Sequence, residues 1–263
     1  MKITPGTPCL VTGASSGIGR DIALALGRRG CKVALLARSA DALEQLAGEV
    51  SQAGGEGLAV VADVREEAQV EAAVAKTMAA FGGLKLVVAN AGLGRYAEVR
   101  QQPAEHVETT ILTNYVGMTR VVRHALPHLM RQTPSHIVGV TSSAGLIPHR
   151  LASAYCASKA ACNAYLATLR LEVFDEGVGV SWVCPGVVKT PFLEKSELDP
   201  GRDLPVLARL LVRHLSSEEV ARATLRAVEA NRAEVVLPPM MRFFAWTRRL
   251  APQLGDWVNR KTG

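Results

Sequence analysis

The sequence predicts an α/β fold, a single doubly wound domain whose parallel sheet is covered by helices on both faces. Three observations predict it. Short apolar segments alternate with stretches of helical periodicity along most of the 263 residues. The first of those segments runs into a glycine-rich turn that opens a helix. Alanine, valine, leucine and glycine dominate while aromatics make up 5% of the chain, a composition suited to tightly packed layers.

Residues 8–12 read as the first strand. They lead into Thr12-Gly13-Ala14-Ser15-Ser16-Gly17-Ile18-Gly19, after which Ile22, Ala23, Leu26 and Gly27 recur at helical spacing. Missing side chains let a backbone approach a pyrophosphate, and a helix N-terminus offers free N–H groups with a partial positive charge. The Gly-x-x-x-Gly-x-Gly spacing differs from the standard dinucleotide fingerprint, so the strand–turn–helix context carries the reading. The alternative is a tight turn between packed elements. A second strand, residues 32–37, ends without the acidic residue that would bind ribose hydroxyls and favour NAD. Arg38 follows instead, placed to contact a 2′-phosphate, which points to NADP; otherwise it is a solvated loop charge.

A helix over residues 40–52 leads to a third strand at 57–61 and then to Asp63-Val64. Asp63 reads either as an acceptor for an adenine amine or as a cap for the helix beginning near Glu66. That helix, residues 67–81, precedes a fourth strand at 85–89, which ends in Asn90-Ala91-Gly92. Small residues there allow a cofactor to lie across the strand ends. A long helical stretch over residues 104–131 carries Asn114 inside it, with Gly117 and Pro127 as weak points. A fifth strand at 136–141 delivers Ser142-Ser143, the next helix runs to about residue 176, and a sixth strand at 178–183 ends in Cys184-Pro185-Gly186. Beyond it the pattern loosens. Residues 187–202 read as a loop over a substrate, within a substrate segment of about 187–215. Helices over 204–214 and 217–230, the second capped by Ser216 or Ser217, and a short strand at 234–237 complete the sheet.

Tyr155 and Lys159 are spaced i, i+4, so on a helix they stand on one face. A free tyrosine, with a pKa of about 10, is a poor base at neutral pH. An ammonium one turn away favours the phenolate and makes the phenol a usable proton donor and acceptor. The flanking Ala152, Ser153, Ala154, Ala157, Ser158, Ala160 and Ala161 leave room for close approach.

Together these residues resemble the short-chain dehydrogenase/reductase family in its single-domain, Rossmann-type form. The resemblance covers roughly residues 7–237 and rests on the Thr12–Gly19 turn, Asp63, Asn90-Ala91-Gly92, Asn114, Ser142, Tyr155-x-x-x-Lys159 and Pro185-Gly186-x-x-x-Thr190. It implies that Tyr155 is the general acid/base, that Ser142 holds the substrate oxygen, and that Lys159 binds the nicotinamide ribose. It also implies that Asn114 holds a water continuing the proton path, and that Thr190 and the backbone near Val188 hold the carboxamide. Gly13, Ser15, Ser16, Gly17, Ile18, Gly19, Arg38, Ser39, Asp63, Val64, Asn90, Ala91, Gly92, Pro185 and Gly186 are the remaining cofactor contacts so implied. No metal is implied. Many NADP-using members carry a basic residue where this chain has Ser16, which leaves the 2′-phosphate to Arg38 with Ser15 or Ser39 and keeps NAD open as a second cofactor. The expected activity is hydride transfer between nicotinamide and a lipophilic ketone, aldehyde or secondary alcohol. The apolar candidate walls Leu93, Tyr96, Ala144, Leu146, Ile147, Pro148, Val187, Phe192 and Leu193 favour such a substrate over a sugar or acid. A 3-oxoacyl-thioester reductase and a non-catalytic NADP sensor or scaffold are the alternatives. Family members usually pair through the helices carrying Asn114 and Tyr155, so a homodimer or homotetramer is expected.

Residues 239–263 lie outside that core. They hold four of the twelve aromatics and supply +4 of the +6 net charge. Met240, Phe243, Phe244, Trp246, Thr247 and Leu250 project onto one arc of a helix, with Arg242, Arg248 and Arg249 on the other. Such a basic amphipathic helix packs on its own subunit or a dimer mate, or lies on a membrane surface. The patch is too short for a nucleic-acid reader. No apolar run reaches membrane-spanning length and no signal peptide is visible, so a cytoplasmic protein, with surface contact to membranes as an option, is expected. The five scattered cysteines suggest buried thiols rather than disulfides or a metal site.

Overall fold

The computed structural model describes residues 1–194 and 214–253, the side chains of residues 193 and 194 excepted. Its central sheet is built from β1 (Pro8–Thr12), β2 (Lys32–Ala37), β3 (Glu56–Val61), β4 (Leu86–Ala89), β5 (Ser135–Val140), β6 (Val178–Pro185) and β7 (Glu234–Leu237). All pairings are parallel and the strand order is β3-β2-β1-β4-β5-β6-β7. The chain moves outward from β1 to β3 and then returns to lay β4 on the other side of β1. This reversal opens a crevice at the carboxyl ends of β1 and β4, where open α/β sheets bind ligands.

Helices α1 (Gly17–Gly27), α2 (Ala40–Gln52) and α7 (Ser217–Glu229) cover one face; α3 (Glu67–Phe81), α5 (Gly117–Arg131) and α6 (Ser153–Glu172) cover the other. Successive strand residues serve opposite faces. Cys9, Val11, Val33 and Leu35 meet Ile22, Leu26, Leu43 and Leu46, while Leu10, Ala34 and Leu36 join Val70, Val121 and Leu166. Burial on both sides explains why the inner strands are apolar throughout rather than alternating. Each large side chain so buried contributes about 1.5–3 kcal/mol before entropy is counted.

The helix ends follow local chemistry. Gly82 closes α3 in the left-handed conformation at φ 71°. Ser216 caps α7 in a reciprocal box with Glu219, which decides between the two serines. The stretch over residues 104–131 is not one α-helix. It divides into α4 (Ala104–Ile111), a π turn (Leu112–Val116) and α5, with Asn114 inside the π turn. Helix α6 stops at Glu172, short of the expected residue 176. After β6, among the described residues, Val188–Lys189 pairs in parallel with Leu215–Ser216 and Pro191–Glu194 forms one helical turn; residues 195–213 of the expected substrate segment lie outside the described residues. Of the expected helix over 204–214, residues 204–213 lie outside the described residues, as do Trp257, Arg260 and Lys261. All five cysteines are buried and free.

His136, on β5, is fully buried. Its Nε2 shares a hydrogen bond with Ser181 Oγ at 2.8 Å, and Nδ1 has no partner among the described residues. Burial, with smaller contributions from the N-terminal ammonium and Arg170, holds its pKa down to about 3. In the unfolded chain the ring titrates near pH 6.5. Between those values the unfolded state binds the extra proton, so this contribution is full above about pH 6.5 and is lost as pH falls. Urea unfolding at about pH 5 should show about 2 kcal/mol less stability from this group than at about pH 7. His136→Asn should flatten the slope; an unchanged slope would place the titrating group elsewhere.

Candidate functional site

The carboxyl end of β1 turns through two left-handed glycines, Gly13 at φ 65° and Gly17 at φ 55°. A Cβ on Gly13 would stand 2.8 Å from Ala91 Cα, and one on Gly19 would collide with the Gly13 carbonyl and the Asn90 amide. Asn90 holds the turn. Its Nδ2 donates to the carbonyls of Thr12 (3.0 Å) and Gly13 (3.2 Å), while Thr12 Oγ1 accepts from the N–H groups of Asn90 and Ala91. Ser16 occupies the N-cap of α1 but its side chain makes no capping bond, and the first turn holds no acidic residue. The helix therefore presents uncompensated N–H groups toward the crevice. Thr190 closes over the turn, with Cγ2 3.1 Å from where a Cβ on Gly17 would lie. A pyrophosphate fits this cradle, which side chains would fill and which offers donors without competing carboxylates.

At the far edge, Asp63 is not the helix cap that one reading of its sequence context offered. Glu66, not Asp63, is the N-cap of α3. The Asp63 carboxylate accepts from the Arg65 N–H at 2.9 Å and from its guanidinium at 2.7–3.1 Å. Partial burial acts to raise the Asp63 pKa, but the bonds from Arg65 outweigh it and hold the carboxyl below its ordinary value. Arg38 approaches the same carboxylate only to 4.0 Å, and its side chain is 69% exposed. Ser39 is the N-cap of α2, its side chain makes no capping bond, and it follows Arg38 directly in the chain. Val64 is buried against Gly117, where a Cβ would come within 2.7 Å of Val64 Cγ2.

At the other end of the crevice, α6 carries Tyr155 and Lys159. Lys159 is buried, donates from Nζ to the Val140 carbonyl at 3.2 Å, and stands 5.8 Å from the Tyr155 ring centroid. Its remaining two N–H donors have no partner among the described residues, an arrangement that fits a pair of ribose hydroxyls. A Cβ on Gly92 would lie 3.4 Å from that Nζ and 3.1 Å from Asn114 Oδ1, so glycine keeps the passage open. Asn114 is fully buried. Its Oδ1 accepts from Leu93 N at 2.8 Å, and its Nδ2 donates to the Leu93 carbonyl and to Ser158 Oγ, both at 2.9 Å. Ser158 Oγ donates in turn to the Tyr155 carbonyl at 2.7 Å, and Cys162 Sγ donates to the Asn114 carbonyl. The π turn thus ties the loop after β4 to the helix bearing Tyr155. Ser142, buried at the end of β5, accepts from Ala144 N at 3.1 Å and lies 3.5 Å from the Pro185 carbonyl.

Two aromatic rings flank Tyr155. Tyr96 lies 5.8 Å away and Phe192 5.9 Å away between centroids, both tilted. Gly94 leaves space for both, since a Cβ there would meet Tyr96 and Phe192 at 2.8–3.0 Å. Burial, then the neighbouring Tyr155, pushes the Tyr96 pKa upward, so its hydroxyl stays protonated. Ala144 and Cys156 complete this apolar patch. Of the other expected walls, Leu146 packs against the core and Pro148 is exposed. The Leu193 side chain lies outside the described residues. The expected cofactor residues Gly13, Gly17, Gly19, Asn90, Ala91, Gly92 and Thr190 do converge on one crevice. Sequence reasoning missed Ser158, Gly94 and the bracing amide of Asn90.

The chain matches the family model described as short chain dehydrogenase over residues 8–201. It is 32% identical over 254 residues to a probable oxidoreductase, EphD, of Mycobacterium tuberculosis; that match covers 92% of this chain and 43% of the EphD protein. It is also similar to the solved structure of a short chain dehydrogenase/reductase from Burkholderia phymatum in complex with NAD, with TM-score 0.85, 28% identity, and 97% and 96% of the two chains covered. A third likeness is an alcohol dehydrogenase from Thermococcus sibiricus complexed with 5-hydroxy-NADP, with TM-score 0.77, 30% identity, and 88% and 95% covered. The chain belongs to the short-chain dehydrogenase/reductase family. The chain spans less than half the length of the mycobacterial relative.

Proposed function

We propose that this protein is an NADP(H)-preferring oxidoreductase of lipophilic ketones, aldehydes or secondary alcohols. The observation that carries the reading is the Tyr155 ring set between a buried, under-bonded Lys159 ammonium and the aromatic pair Tyr96 and Phe192. A bound nicotinamide supplies the hydride chemistry. The Tyr155 hydroxyl exchanges a proton with the substrate oxygen, and the Ser142 hydroxyl donates a hydrogen bond to it. Lys159 steadies the charge on the phenolic oxygen and holds the nicotinamide ribose. The Asn114 side chain is engaged by Leu93 and Ser158, and Cys162 takes one lone pair of its main-chain carbonyl, so the second lone pair of that main-chain carbonyl is the place for a relay water. Gly13, Ser15, Ser16, Gly17, Ile18 and Gly19 embrace the pyrophosphate. Asp63 and Val64 border the adenine, and Arg38 with Ser39 meets the 2′-phosphate. Pro185, Gly186, Val188 and Thr190 line the carboxamide end.

Tyr96, Phe192 and Ala144 exclude water from the reacting carbonyl and favour apolar substituents over hydroxylated or charged ones. Pairing of two copies through α5 and α6 is the expected assembly; Met130, Leu171 and Phe174 supply exposed apolar surface near the ends of those helices. Titration with NADPH and NADH, followed by nicotinamide fluorescence, tests the cofactor. Tighter binding of NADPH by about tenfold or more is expected. Turnover of straight-chain and cyclic ketones and aldehydes should then rise with apolar size. Preference for sugars or acids, or binding of neither cofactor, would overturn the reading.

A further inference from the structure

Helix α8 (Pro239–Leu250) turns its large apolar side chains away from the molecule. Ala245 is buried and Met241 packs on the core, which defines the inner face. On the opposite face, Phe243, Trp246 and Leu250 follow at i, i+3 and i+7 and are 60%, 59% and 66% exposed. Arg242 and Arg249 lie exposed on one flank and make no hydrogen bond or ion pair among the described residues. A helix that packs on its own subunit does the reverse, burying its bulk and exposing its charges. Solvated aromatics beside two unpaired guanidiniums, on a helix with no acidic residue, match the two layers of a bilayer interface.

We propose that α8 docks the protein on the surface of an anionic phospholipid bilayer. Phe243, Trp246 and Leu250 enter the acyl boundary while Arg242 and Arg249 meet headgroup phosphates. No spanning helix is required, and among the described residues none is long and apolar enough to cross a membrane. Position adds a functional consequence, which rests on the proposed lipophilic substrate. A Cβ on Gly186 would stand 3.4 Å from Pro238 and 3.8 Å from Met241, so α8 springs from the same sheet edge as the candidate site. Docking there brings the site to the phase in which a lipophilic carbonyl dissolves.

The test is flotation of the full chain with vesicles of phosphatidylcholine alone or mixed with phosphatidylserine, at low and high salt. The protein should float with the mixed vesicles, less with phosphatidylcholine alone, and less again as salt is added. The double variant Arg242→Glu/Arg249→Glu should weaken partition to anionic vesicles by at least about thirtyfold, from about fivefold per arginine lost. Phe243→Ser/Trp246→Ser should weaken it to both vesicles by at least about tenfold. Absence of flotation on anionic vesicles, or flotation indifferent to both variants, would overturn the proposal. A dimer that becomes monomeric in Phe243→Ser/Trp246→Ser, with vesicles left bare, would overturn it too and make this face a contact between copies. Turnover of a water-soluble carbonyl without vesicles should be equal in wild type and both variants. Its absence in a wild-type protein that still floats would strike the proposed activity and leave the docking standing.

Discussion

Tyr155→Phe is expected to lower turnover by about 10²–10⁴-fold, the span of a positioned proton donor, while NADPH binding changes by less than about twofold. The substitution removes one oxygen and keeps the ring. Its contacts with Tyr96 and Phe192, and its place over Ala144 and Cys156, remain. Lys159 stays anchored on the Val140 carbonyl, and Ser158 still bonds the main chain of residue 155, so the helix has no cause to move. Because cofactor contact and apolar packing survive, the loss should fall on kcat and leave KM for an apolar carbonyl within a few-fold. Single-turnover reduction with saturating NADPH measures it. A loss under about tenfold would mean that another group, Ser142 or a water, delivers the proton.

The pairing of Tyr155 with Lys159 was legible from spacing, while the proton role came with the family resemblance, and the reason for the first is geometric. Two residues at i, i+4 on a helix meet in any fold that keeps the helix. The strands were legible for a comparable reason: inner parallel strands are buried on both faces, so Leu10, Val11, Val87 and Val88 write continuous apolar runs. What depends on neighbours across the sheet was not legible. Asn90 reads as one of three small residues after a strand, yet its amide braces the glycine turn because the order places β4 beside β1. Asn114 reads as an ill-favoured residue in an α-helix. Periodicity does not separate a π turn from an α turn, and the π turn is what aims its amide at Leu93 and Ser158.

Helix ends and helix faces were missed for a related reason. Leu171, Val173 and Phe174 continue an apolar pattern past Glu172, but only Val173 is buried, and the helix stops ahead of Gly177 at φ 71°. In the projection of α8 the apolar arc and the arginines fall on different sides. Which arc faces the protein is a tertiary fact, decided by the fit of Met241 and Ala245 against the core.

Arg38→Asp is expected to shift preference from NADPH toward NADH by about a hundredfold or more. Three guanidiniums crowd this edge, and their commitments differ. Arg65 is bound to Asp63, and Arg120 is engaged by Glu67 and the Arg65 carbonyl. Among the described residues Arg38 makes no hydrogen bond and reaches Asp63 only at 4.0 Å, so its guanidinium is free to turn toward a phosphate. Loss of a charge-assisted partner costs about 2 kcal/mol at an exposed site, and the new carboxylate adds repulsion to a 2′-phosphate. For NADH the same carboxylate offers two acceptors to a ribose diol. The fold should tolerate the change, because Arg65 already neutralises Asp63 and the exposed Arg38 side chain contributes little to packing. Titration of wild type and variant with both cofactors gives the ratio directly. An unchanged ratio in a variant with an unaltered melting temperature would reduce Arg38 to a surface charge and move the origin of any NADPH preference to Ser15, Ser39 or Arg65.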